Sequence, residues 1–95
     1  MKYKALVRFL SSKEGGRLSA PVSGYKPQLK IGKEHTSCIV SLENPSRGKM
    51  DFGIKHVVFI ELQFEDLYPE KTFLKNKIEL YEGSKLVGVG KFLYD

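Results

Sequence analysis

Apolar and polar residues alternate with a period of two along several short stretches of this chain. Between residues 3 and 10 every second position is apolar, and the same spacing returns between residues 36 and 42. This period indicates strands with one face buried. The pattern predicts six strands, at residues 3–10, 28–31, 36–42, 54–64, 77–81 and 86–93.

The strongest of these predicted strands spans residues 54–64. His56 falls on its apolar side, where a satisfied or edge histidine is a more ordinary role than a ligand or a catalytic base. The side chains predicted to face the core from this strand are Ile54, Val58, Ile60, Leu62 and Phe64.

The segments between the strands carry turn chemistry. The stretch KEGGRLSAPVSGYKPQ at residues 13–28 is rich in glycine, proline and serine, and long polar loops of this kind often carry function. Further loops are predicted at residues 44–48 and 65–76, and a tight hairpin around Gly83. Gly88 and Gly90 lie two apart in the last strand, where glycine accompanies a close backbone approach or a sharp bend of the barrel, and a barrel corner is the predicted reason.

Six short strands without a helix longer than one turn predict an all-β fold, a closed six-stranded antiparallel barrel. Closure removes the strand edges that would otherwise pair with other molecules. With 95 residues, the chain is expected to form a single domain.

Composition narrows the class of partner. The net charge of +5 permits an acidic partner, either RNA or protein, without requiring one. Cys38 is the single cysteine, so no intramolecular disulfide is possible and a reducing, cytoplasmic location is expected. The sequence shows neither a signal peptide nor a run of about 20 apolar residues, so no membrane partner is expected.

The signals for catalysis are weak. The chain has no GxxxxGK[ST] segment, so neither nucleotide binding nor nucleotide hydrolysis is expected. His35 and Cys38 give only two potential zinc ligands, fewer than a site needs. A Cys38–His56 catalytic pair lacks a third residue to orient it. The chain is therefore expected to have no enzymatic activity and no cofactor.

Three segments carry a resemblance to a known family. SKEGGR at 12–17 and GYKPQ at 24–28 match a segment of the form SKEEGGRHTPFFxGYRPQF, and EGSKLVGVG at 82–90 matches REGGRTVGAGVV. Both patterns belong to the third domain of elongation factor Tu, and the chain resembles that domain from about residue 7 to residue 92. The resemblance implies a six-stranded barrel without the GTPase domain.

In that family the third domain contacts the T-stem backbone of aminoacyl-tRNA, through shape and 2′-hydroxyls rather than base sequence. Carried over by motif, the resemblance implies RNA contacts at Arg17, Gln28, Ser37, Glu82 and Gly83. Other side chains suited to a partner lie in the same motifs: Tyr25, Lys26 and Lys85.

The chain departs from the family motifs at several positions, and these departures lead to two alternative functional predictions. Leu18 replaces the histidine after GGR, Tyr68 precedes Pro69 where the family has a basic residue or histidine, and Tyr81 replaces the arginine of REGG. The loss of these polar groups favours a protein-binding regulator, decoy or immunity-type factor that engages a translation factor-related protein or a toxin. The alternative is a module that binds the backbone of tRNA or a similar A-form stem. Tyr25, Tyr68 and Tyr81 are candidate anchors for a protein partner.

Overall fold

A computed structural model describes residues 1–44 and 48–93 of the chain. Six strands form a closed antiparallel barrel, which confirms the predicted fold class. The strands are β1 (Lys2–Phe9), β2 (Gln28–Ile31), β3 (Glu34–Leu42), β4 (Lys55–Leu62), β5 (Lys77–Glu82) and β6 (Lys85–Phe92). They are ordered β1-β4-β3-β2-β5-β6 around the barrel.

The helical elements among the described residues are single 3-10 turns, at Ser12–Glu14, Glu65–Leu67 and Thr72–Lys75. Within the described chain, no helix is long and apolar enough to span a membrane. The loop predicted at residues 44–48 falls mainly on residues 45–47, which lie outside the described residues.

The core follows the predicted alternation. On β1, Ala5, Val7 and Phe9 are fully buried while the residues between them face outward. Each such side chain contributes roughly 1.5–3 kcal/mol when it is large and fully buried. The inward positions of β3 and β4 are also buried: Thr36, Cys38, Val40, Leu42, Val58, Ile60 and Leu62.

The prediction for β4 was too long at both ends. Ile54 and Phe64 were expected in the core, but their exposed fractions are 55% and 52%. Ile54 follows Gly53, whose φ of 75° belongs to a turn before the strand begins. After Leu62 pairs with Cys38, the chain makes one more bond to β3, from Gln63 N to Ser37 O at 3.0 Å, and then leaves the sheet. Phe64 therefore lies beyond the end of the sheet and its side chain is not covered by the barrel core.

Two residues from outside the strands close the ends of the core. Phe73, in the loop after β4, is buried and its ring meets those of Tyr3 and Phe92 edge to face, with centroids 5.5 Å and 5.7 Å apart. Met50 is buried among the core residues, and its amide donates to Pro21 O at 2.8 Å. The long loop is tied to β3 by two further bonds, from Gly24 N to Val40 O at 2.9 Å and from Val40 N to Tyr25 O at 2.7 Å.

The glycines of the last hairpin have distinct roles. Gly83 has φ 63° in the two-residue turn between Glu82 and Lys85, a conformation that glycine adopts readily. A Cβ atom on Gly90 would lie 2.1 Å from the Leu6 carbonyl oxygen. Glycine at position 90 therefore allows the backbone of β1 to pass close, and the barrel corner predicted there stays a prediction.

Candidate functional site

The barrel gathers most of the candidate residues at one end, which we call the loop end. It is formed by residues 10–27 together with the turn at residues 83–84. Arg17, Tyr25 and Glu82 contact one another there, and we call these three residues the loop cluster. Gly83 and Lys85 are exposed in the adjoining hairpin, and Lys26 is exposed next to Tyr25. Gln28 and Ser37 lie apart from the cluster, as directly paired residues on β2 and β3.

Local backbone geometry positions Arg17. The Ser12–Glu14 turn is closed by a bond from the Glu14 amide to Ser11 O at 2.9 Å, and Gly15 then takes φ 85°. A Cβ atom on Gly16 would lie 2.0 Å from the Leu10 carbonyl oxygen, so only glycine fits there. The Arg17 amide donates to that same oxygen at 3.0 Å. The GGR sequence thus folds the chain back so that Arg17 reaches the barrel.

The loop cluster is satisfied within the chain. Arg17 Nη1 and the Tyr25 hydroxyl both donate to Oε2 of Glu82, and Arg17 Nε donates to Ser19 O at 3.0 Å. The guanidinium carbon also lies 4.7 Å from the centroid of the Tyr25 ring, within cation–π range. The Tyr25 ring meets Phe9 edge to face at 5.9 Å. These contacts connect the loop to the core through one aromatic side chain.

The electrostatics of the cluster favour a charged pair with a neutral tyrosine. Burial alone would raise the pKa of Glu82, but hydrogen bonds from Tyr25 and Arg17 outweigh burial and hold this pKa below its usual value. Burial, followed by the hydrogen bond to Glu82, raises the pKa of Tyr25 well above its usual value. At neutral pH the Arg17–Glu82 pair therefore carries no net charge.

The outer face of β3, β2 and β5 is polar and aromatic. Gln28 lies between Ser37 and Tyr81, its directly paired neighbours. The Tyr81 ring stacks on His35 with centroids 4.6 Å apart, and its hydroxyl donates to Glu79 at 2.8 Å. Tyr81 is thus held on this face by contacts with His35 and Glu79.

The third candidate tyrosine lies at the opposite end of the barrel from the loop cluster. Tyr68 packs on Phe73 with ring centroids 6.3 Å apart, and its hydroxyl donates to Glu34 at 3.1 Å. All three candidate tyrosines, Tyr25, Tyr68 and Tyr81, therefore have an intramolecular acceptor and are only partly exposed.

The two side chains considered for catalysis, Cys38 and His56, are both buried in the fold. Cys38 is buried, its Sγ lies 3.5 Å from Pro27 O, and burial raises the pKa of the thiol to about 12. His56 is buried with Nε2 2.9 Å from Asp51 O, as predicted for a satisfied histidine. Cys38 pairs with Leu62, six residues along β4 from His56, which corresponds to about 20 Å in a strand. Among residues 1–44 and 48–93, no cluster of three metal-ligating side chains is found.

The sequence interpretation missed that Glu82 bonds to Arg17. Both were assigned to a shared RNA-binding surface, as separate groups facing a partner. Their opposite charges, in two motifs that the resemblance placed together, were a signal that they could pair with each other.

A comparison with the models of known protein families finds no match for this chain. The closed six-stranded antiparallel barrel is compatible with the fold of the third domain of elongation factor Tu.

Proposed function

We propose that this chain is a non-enzymatic protein-binding module with a barrel like that of the third domain of elongation factor Tu. It acts as a regulator, decoy or immunity-type factor by engaging a protein that otherwise meets that domain, such as a translation factor-related protein or a toxin. A reducing, cytoplasmic location suits its buried and unpaired Cys38.

The observation that carries the proposal is the state of Arg17. RNA binding through the motif requires this guanidinium to bind a phosphate, yet Glu82 and Ser19 already accept its hydrogen bonds. The Arg17–Glu82 pair carries no net charge, so it attracts a phosphate much less than a free guanidinium would. Arg17 Nη1 and Nε are already engaged, and the full charge of Arg17 reaches a phosphate only when Glu82 is displaced.

Exposed apolar side chains at the loop end support a protein partner. Leu18 directly follows Arg17 and has an exposed fraction of 90%, and Val22 in the same loop has 57%. Single exposed apolar residues are ordinary on protein surfaces. Here, however, they flank an ordered cluster on a loop whose backbone is bonded to the barrel. This arrangement provides a pre-organised surface with apolar side chains for a partner to cover.

A second candidate function, binding of an RNA backbone, is supported by two exposed cations. Lys26 and Lys85 lie at the loop end, and neither forms an ion pair with a described residue. Gly83 between the strands of the hairpin would let a sugar–phosphate chain approach closely. Two lysines give a weak, sequence-independent attraction, which is less than a specific tRNA site requires.

Capture from cell extract tests the proposal, with RNA and protein both identified. The expected result is a protein recovered in stoichiometric amount, resistant to ribonuclease, and lost when Leu18→Asp is used as bait. The matched control is Leu67→Asp, since Leu67 is also an exposed leucine, with an exposed fraction of 70%, in the turn after β4 at the other end of the barrel. Recovery of structured RNA in place of protein would contradict the proposal.

A further inference from the structure

A second surface, on the outer face of the barrel wall, concentrates positive charge. On the outside of the barrel, a groove of about 290 Å³ crosses β6 and β1. Leu6 and Val89 provide apolar contact surface within it. Its cationic side chains come from four different strands: Arg8, Lys55, Lys77 and Lys91. Among the described residues that line it, none is acidic.

The strand register places these cations directly against one another. Lys77 is the cross-strand partner of Lys91, and Arg8 is the partner of Lys55. Like charges directly opposite on a sheet destabilise it. Arg8 is partly compensated by Glu14 at 3.1 Å, but within the described chain no carboxylate lies within 4.0 Å of the three lysines. Two repelling pairs therefore flank one groove.

Neighbouring acids do not relieve this repulsion. Glu79 is the cross-strand partner of Val89 on the same outer surface, but it accepts from the Tyr81 hydroxyl at 2.8 Å and lies 3.9 Å from Lys30 Nζ. Glu14 is held by Arg8. The groove thus presents uncompensated positive charge, and its charge complement is an anion.

The lining of the groove selects among anions. Stacking on aromatic side chains is how proteins usually hold unpaired RNA bases, and none of the lining residues is aromatic, so the groove does not suit unpaired bases. The backbone of an RNA stem would contact the cations but leave the apolar surface of Leu6 and Val89 uncovered. Aliphatic surface from Leu6 and Val89 instead suits an aliphatic side chain. The volume lies at or below the smallest ligand pockets, which begin at roughly 300 Å³, so it fits one or two side chains rather than a whole cofactor.

We propose that this groove docks an acidic segment of the protein partner, with carboxylates facing the lysines and an aliphatic side chain lying against Leu6 and Val89. This inference rests on the proposed protein-binding function and names the chemistry of the partner. Carboxylates placed between Lys77 and Lys91 replace a repulsive pair with two attractive contacts. The repulsion is thus present in the free protein and relieved in the complex.

A peptide titration tests the groove. The probe is a capped eight-residue peptide of alternating glutamate and leucine, added to the isotope-labelled full chain at low salt while amide chemical shifts are recorded. The largest shifts are expected at Leu6, Val89 and Gly90. The double variant Lys77→Glu, Lys91→Glu should raise the dissociation constant at least tenfold, whereas Lys33→Glu, at an exposed lysine that does not line the groove, should leave it within about twofold.

A stability measurement shows whether the variants fold and whether the repulsion exists. Lys91→Glu converts the pair with Lys77 from repulsive to attractive, so its melting temperature should rise by roughly 2–8 °C at low salt. A fall in melting temperature would contradict the repulsion on which the proposal depends. If Lys33→Glu weakens peptide binding as much as the double variant does, the groove is not the binding site and the proposal is wrong.

Two further outcomes separate this groove from the wider proposal. An RNA hairpin that binds these residues more tightly than the peptide would overturn the assignment to an acidic protein segment. A peptide that fails to bind overturns the groove while leaving protein capture by the chain intact. Failure of protein capture with retained peptide binding would instead overturn the proposed function alone.

Discussion

Replacing Gly90 with alanine adds one methyl group at the closest approach of two strands. The new Cβ atom would lie 2.1 Å from Leu6 O and 2.9 Å from Val7 Cα. Both neighbours are backbone atoms of β1, so neither can move aside by a change of rotamer. Relief requires β1 and β6 to separate at the registers where Leu6 pairs with Lys91 and Val7 pairs with Gly90.

The expected loss of stability follows from how closely the added methyl group would approach the backbone of β1. Adding a methylene-sized group to a packed site typically destabilises by about 1–3 kcal/mol, and an overlap against backbone belongs at the upper end. A chain of this size has a free energy of unfolding of roughly 5–14 kcal/mol. We therefore expect Gly90→Ala to lose about 3 kcal/mol and to melt roughly 12–24 °C below the parent.

Urea denaturation and thermal melting measure this loss, with Gly83→Ala as the matched control. Gly83 has φ 63° and open space around the site of a Cβ atom, so only backbone strain of about 1 kcal/mol is expected there. If Gly90→Ala is no less stable than Gly83→Ala, the argument from close strand approach is wrong. A changed slope of the denaturation curve would point to a different folded state rather than a weakened one.

The remaining predictions concern pH. Because the pKa of Glu82 is lowered from 4.5 in the fold, the loop cluster stabilises the protein above that pH, and this contribution is lost as pH falls through the lowered value. The Glu82→Gln variant should have a free energy of unfolding about 1 kcal/mol lower than the parent at pH 7, a figure reduced because Glu82 is partly exposed. In this variant the urea midpoint should also depend less on pH below about pH 4.5. An unchanged acid dependence would contradict this role. Burial raises the pKa of Cys38 from 9.0 to about 12, so its contribution to stability is present below pH 9 and lost as pH rises toward 12. Above pH 9 the parent should lose about 1.4 kcal/mol per pH unit relative to Cys38→Ala, and a constant difference between the two proteins would refute this.

The fold could be predicted because the alternation signal is local. The inward positions of β1 and β3 each recur at every second residue, and burial follows them. The ends of β4 could not be predicted in this way, because Ile54 and Phe64 continue the apolar pattern while the pairing partner stops. Strand ends depend on which neighbour is present, and the pattern within one strand does not contain that information.

Core residues from loops were missed for a related reason. Phe73 and Met50 belong to no periodic stretch, so nothing in their surroundings in the sequence distinguishes them from exposed residues. Their burial depends on the tertiary position of the loops that carry them. A large apolar side chain in a long loop is the available signal, and it does not separate Phe73 from the exposed Leu67 nearby.

The sequence motifs picked out three residues that lie together in the fold, but not the way in which they contact one another. Motif positions identified Arg17, Tyr25 and Glu82, which the barrel does bring together. That they bond to one another depends on the distance between two loops far apart in sequence. The groove of lysines was missed because its cations lie on four strands, and only the register shows that Lys77 faces Lys91.

The central claim, that the chain binds protein rather than RNA through its motif, is tested most directly by tRNA affinity at two salt concentrations with heparin as competitor. The informative variant is the double change Arg17→Gln, Glu82→Gln, which leaves the net charge unaltered. We expect weak binding at physiological salt, similar for any polyanion, with the same salt dependence in parent and variant. Tight tRNA binding that survives heparin, with a salt slope reduced by about one unit in the variant, would contradict it.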